Sequence, residues 1–204
     1  MNKKILWRTI ALMAAIAFAG SVVSFHVRSA GIRGEVLRLH VIANSDSDID
    51  QQAKLHVRDA LLAQGDTLFY ASGDITQAEQ AVALRRAELE HTAQQALQEL
   101  GLHQTVQVSV GTTFFNTRSY GALTFPAGRY QAVQVHIGES VGENWWCVMF
   151  PPLCLPAAMP QPRESLTLDA VLSDGQMRVV ESNPQFDVRF RIVELVQELL
   201  ERLR

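Results

Sequence analysis

The chain has 204 residues, 48% of them hydrophobic, with 18 Lys+Arg against 21 Asp+Glu and only 2 Cys. That balance suits a packed domain and excludes a disordered tail or a disulfide-dense miniature scaffold. A formal charge of -3, with no basic cluster beyond Arg8, offers nucleic acid nothing to bind, so no nucleic-acid partner is expected.

Lys3, Lys4 and Arg8 precede a stretch from Thr9 to Phe25 without a single charge. A positive end followed by an apolar run is the pattern of an export signal or a membrane anchor. Ala17-Phe18-Ala19 before Gly20 fits a small-x-small cleavage site, while the run also reaches the lower limit of roughly 17 residues at which a helix crosses a bilayer. The expected organisation is a signal peptide or anchor over 1–25, an aperiodic tether over 26–34 and a single exported domain over 35–204. Without its three N-terminal basic residues that exported part is acidic, and anionic headgroups do not attract it.

Val36–Ile42 alternates around Leu37, Leu39 and Val41, which predicts a strand. It runs into the polar turn Asn44-Ser45-Asp46-Ser47-Asp48, where Ser47 can cap a helix and Asp50, three residues on, can close a capping box. Ala53, Val57, Ala60 and Leu61 recur at helical steps across Asp48–Gln64, with Lys54 and Arg58 on the opposite flank. Ile75–Leu100 has no Gly or Pro and high helix propensity, so one long helix is expected, stopped by Gly101. Its Ala- and Gln-rich surface also suits pairing with another chain.

Thr105–Val110 and Gln131–Ile137 alternate strictly and predict half-buried strands. Between them Gly111–Gly128 holds Phe114, Phe115, Tyr120 and Phe125 and is expected to fold down as a hairpin or cover. Asn144–Pro156 is the densest apolar segment after the N-terminus, and Pro151-Pro152 must end any strand formed by Trp146–Phe150. Leu166, Leu168 and Val171 suggest a short strand or helix, Ser173-Asp174-Gly175 a turn, and Phe186–Arg204 a terminal helix opened by Asn183 and Pro184. The fold class that results is α+β, a small mixed sheet covered by helices in two layers, behind the N-terminal signal or anchor.

None of the six histidines falls in a metalloprotease or compact zinc spacing, and no nucleophile elbow, phosphate loop or dinucleotide fingerprint is present. Catalytic residues, metal ligands, cofactors and a small-molecule substrate are therefore not expected. His40 and His136 lie on the less apolar faces of their strands and meet if those strands are neighbours. Asp46, Asp48 and Asp50 crowd one turn, but the sixth-position Gly and distal Glu of a calcium loop are missing. Cys147 and Cys154 allow three readings: a disulfide, two buried thiols, or a nucleophilic Cys147 with His136 or His40 as base. The last would make an exported hydrolase or thiol enzyme, and the long helix alone an envelope adaptor. In a strand, Trp145 and Trp146 point to opposite faces, so at most one is core and the other suits a binding hot spot.

Arg38-Leu-His-Val-Ile-Ala-Asn-Ser-Asp46, Asp50-Gln51, Lys54, Val57-Arg58-Asp59, Phe125-Pro-Ala-Gly-x-Tyr130 and Asn144-Trp-Trp-Cys-Val-Met-Phe-Pro-Pro-Leu-Cys154 together resemble stage II sporulation protein R of endospore-forming bacteria, over roughly residues 32 to 156. The resemblance implies a signalling protein without chemistry of its own. It would be made in the forespore and exported across the forespore membrane into the intermembrane space, remaining anchored if its signal is uncleaved. There it would trigger a membrane-embedded aspartic protease that processes the precursor of a mother-cell sigma factor. The matching residues include Asn44, Ser45, Asp46, Arg58, Asp59, Asn144, Trp145 and Trp146, taken as candidate protein-binding residues, and Cys147 and Cys154. The segment from Ala157 matches only loosely.

Overall fold

An apolar run whose only helix breaker is Gly20 favours a helix. In the computed structural model, which describes residues 3–68, 72–153, 167–181 and 188–203, it lies within α1 (Lys3–Glu35). This helix continues unbroken through 26–34, the stretch without a clear period. Among the described residues it is the one helix long and apolar enough to cross a membrane by length and composition, with mean hydropathy 2.0 and 6% of its most apolar window buried.

After α1 come β1 (Leu37–Ile42), α2 (Asp48–Ala63), the single turn α3 (Gly65–Leu68), α4 (Ile75–Leu84) and α5 (Arg86–Glu99). Next are β2 (Val106–Phe115), β3 (Arg118–Tyr120), β4 (Leu123–Phe125), β5 (Gly128–Ile137) and β6 (Asn144–Phe150). The chain continues through α6 (Leu168–Val171) and α7 (Asp174–Val180) to α8 (Val188–Arg202). Two compact units result, one of Met1–Ile32, Phe115–Gly128 and Asp174–Arg204, the other of Arg33–Phe114 and Arg129–Ser173.

The second unit holds a four-stranded sheet in the order β2-β5-β1-β6. β1 runs parallel to β5, with Leu39 opposite Val133 and Val41 opposite Val135, and antiparallel to β6, with Leu39 opposite Cys147 and His40 opposite Trp146. The sheet is therefore mixed, and the protein is a mixed α+β fold with a small sheet and helices. Leu37, Leu39, Val41, Val133, Val135 and Ile137 form one core with Val57 and Leu61 of α2, Val82 of α4, and Leu89, Ala93 and Leu97 of α5. At about 25 cal/mol per Å² of apolar surface, that shared core is the main force holding helices to sheet. The other face of β1 is buried too: Arg38 is fully enclosed, its guanidinium carbon 4.9 Å from the Tyr130 ring centre and its Nε donating to the Cys147 carbonyl at 3.2 Å. Burial on both faces is what a central strand with a parallel neighbour requires.

The single long helix expected over Ile75–Leu100 is two helices. Its apolar stripe has Arg85 and Arg86 between Val82 and Leu89, at the positions a continuous helix would press onto the core. The backbone leaves helical geometry at Arg85 (ψ 15), whose guanidinium is held by Glu88 at 2.8 and 2.9 Å. Gly101, at φ 72, ends α5 as expected.

In the first unit β3 and β4 form a hairpin, closed through Gly121 at φ 61, as the aromatic content of that stretch suggested. Phe25, Ser29 and Ile32 of α1 are buried, and the Phe25 ring meets Phe190 of α8 edge-on at 4.8 Å. Asp174, expected in a turn, opens α7. The expected opening of the terminal helix at Asn183, Pro184 and Phe186, together with Cys154, Pro156 and Leu166, lies outside the described residues.

Candidate functional site

Where β1 ends, Asn44–Asp50 forms a turn locked from several sides. Ser47 caps α2 by accepting the Asp50 N–H at 3.3 Å. The capping box does not close: Asp50 turns inward and accepts from Ser45 Oγ at 2.6 Å, Asn44 Nδ2 at 2.8 Å and Gln104 Nε2 at 3.2 Å. The Ser45 hydrogen bond above all holds the Asp50 carboxyl below the usual carboxylate range; burial opposes it, and Asn44 and Ser47 add to it.

The loop joining β5 to β6 is fastened to this turn. Asn44 Oδ1 accepts from the Glu139 N–H at 3.0 Å, Asp46 Oδ1 from the Glu143 N–H at 2.6 Å, and the Ala43 carbonyl from the Gly142 N–H at 3.0 Å. Gly138, at φ 54, and Gly142 sit so close to the Asn44 side chain and the Ser45 carbonyl respectively that a Cβ at either place would collide. Lys54 is buried rather than on a solvent flank, its ammonium donating to Gln51 Oε1 at 2.5 Å and the Glu143 carbonyl at 3.0 Å. Desolvation lowers its pKa, and the nearby Glu143 and Asp46 charges work against that shift. The acidic loop beside it is what draws the ammonium inward.

Beyond this lock stands the start of β6. Asn144 is exposed, and Trp145 and Trp146 are half-buried on opposite faces of the strand. Arg58 of α2 lies over the Trp145 ring at 4.2 Å and pairs with Asp59 at 2.7 Å. Trp146 stacks on His40 at 3.7 Å and 11°, and His40 Nε2 is 2.9 Å from Asn144 Oδ1. Burial lowers the His40 pKa, the Asn144 contact raises it and nearby His136 lowers it. The structure thus brings Arg58, itself paired with Asp59, to one indole and His40, held by Asn144, to the other, both at the sheet end where Asn44, Ser45 and Asp46 form the turn.

His40 and His136 do share a sheet face on neighbouring strands, but among the described residues no group of three or more metal-ligating side chains assembles. A nucleophilic Cys147 is overturned by position. It is fully buried and disulfide-bonded, and it pairs with Leu39 on the helix-covered face, while His40 and His136 belong to the other. Sequence reasoning missed Asp50, Gln104, Lys54 and Gly142 as parts of the lock; two glycines flanking the loop after an alternating strand were the available signal.

Fold and site define a mixed α+β protein with an N-terminal apolar helix and a braced turn-and-indole surface at one end of its sheet. The family described as stage II sporulation protein R matches residues 33–159. The chain belongs to that family, which links it to sporulation signalling. It is similar to stage II sporulation protein R of Bacillus subtilis (strain 168), 37% identical over 123 residues that cover 60% of this chain and 55% of that relative. The match therefore spans little more than half of the relative's length. No solved structure matches.

Proposed function

We propose that the protein is an exported signal, held at the membrane by α1, that activates a membrane-embedded aspartic protease processing a mother-cell sigma factor precursor. It does so by binding, and the surface it presents is the β6 start, Asn144 to Trp146, with Arg58 and Asp59. Family membership supports the pathway. The observation that carries the surface is the bracing of both indoles, Trp145 under Arg58 and Trp146 against His40. Aromatic side chains fixed before contact lose little rotamer freedom on binding and supply large contact area, which is how hot spots work.

In this reading Asn44, Ser45 and Asp46 position the surface, because their polar atoms are engaged by Asp50, Glu139 and Glu143. The chain is a ligand and not an enzyme. The test is co-expression with the protease and the sigma-factor precursor, scoring precursor cleavage. Trp145→Ala and Trp146→Ala proteins that melt cooperatively are expected to lose most cleavage; full cleavage by both variants would remove the indoles from the contact.

A further inference from the structure

Helix α8 wears its apolar side outward. Phe190 and Val193 are buried, whereas Leu195 (51%), Val196 (46%), Leu199 (59%), Leu200 (51%) and, one residue past the helix end, Leu203 (76%) are exposed. At 3.6 residues per turn these five cover an arc of roughly 140°, centred about 120° round the helix from Phe190 and Val193. Glu194, Gln197, Glu198 and Glu201 are half-buried, as is Ile192 in the first turns. This inverts the arrangement of a helix that packs its apolar stripe on its own domain.

The level at which α8 starts is fixed by its neighbour. Phe190 meets Phe25, the last residue of the uncharged run in α1, beyond which His26 and Arg28 follow. Phe25 therefore marks where α1 passes from an apolar to a polar medium, and α8 begins at that boundary, within the same compact unit. We infer that α8 lies in the membrane interface, its Leu195–Leu203 stripe inserted among the acyl chains of the leaflet that α1 leaves. This rests on α1 being retained as an anchor. Helices of this kind sink their apolar face about 5–10 Å below the headgroups. Over its length α8 has three Arg (Arg189, Arg191, Arg202) against three Glu (Glu194, Glu198, Glu201), with Arg191 paired to Glu194 at 2.8 Å, so it carries no net positive charge that seeks anionic lipid, and zwitterionic lipid suffices.

The experiment places an NBD fluorophore on Leu199→Cys, on Phe18→Cys within α1 and on the exposed Gln107→Cys, each in the full chain reconstituted in phosphatidylcholine vesicles with or without brominated acyl chains. The expected result is blue-shifted emission at 199 that brominated lipid quenches and aqueous iodide does not, unaltered by salt, with 107 showing the reverse. Quenching at 18 but not at 199 overturns the α8 inference and leaves the anchor standing; quenching at neither overturns both. A blue shift at 199 that bromine does not touch and that fades as protein is diluted into lipid puts a second copy on the stripe, and likewise overturns it.

Discussion

At Gly138 the backbone is left-handed and an added Cβ meets the Asn44 side chain, whereas at Gly101, equally left-handed, a Cβ meets nothing within 4 Å. Gly101→Ala carries only the backbone penalty of about 1–2 kcal/mol. Gly138→Ala adds an overpacking cost of about 1–3 kcal/mol and breaks the Asn44 bonds that hold the loop. Denaturant melts of the two variants should therefore separate, Gly138→Ala lower; equal midpoints would mean the loop is not fastened through Asn44. Asp50 sets the acid behaviour. Its folded pKa is depressed, so the stability it provides is complete above the unfolded value near 3.9 and disappears as pH falls through the lower folded value. Asp50→Asn should cost about 1.5–3 kcal/mol at neutral pH, with the gap to the native protein narrowing below about pH 4. A gap independent of pH would contradict the assignment.

Between elements, α2 is tied to β6 by one stacked cation. Arg58→Ala should destabilise by about 0.5–2 kcal/mol, and a double-mutant cycle with Trp145→Ala should show that the two losses do not add. Additive losses would mean that the stacking contributes nothing. Alternation made β1, β2 and β5 legible in the sequence, since a period of two has one structural meaning. The break at Arg85 was less so: helix propensity favours Arg, and only its place in the stripe, facing a core the sequence does not display, opposes a continuous helix. Asn44 and Asp46 were legible as a polar turn, while their partners at Glu139 and Glu143 were not, because strand order sets which loops meet.

For the whole molecule, the opposing faces of the sheet separate Cys147 on β6 from His40 on β1 and His136 on β5, a fact about topology that residue types alone leave open. Cys147 is disulfide-bonded, and Cys154, the other cysteine of the chain, lies outside the described residues. Reductant should lower stability by about 2–4 kcal/mol in melts, and Cys147→Ser should reproduce the loss and abolish further sensitivity to reductant. A midpoint indifferent to reductant would argue against the bond. The proposed role is that of an exported ligand that acts by contact. It is tested most directly by co-expressing the protease and sigma-factor precursor with the full chain or with a chain lacking residues 1–19, which keeps the buried Phe25, Ser29 and Ile32. Precursor cleavage with the full chain and none with the shortened one is the predicted result; no cleavage by a folded, exported full chain would contradict it.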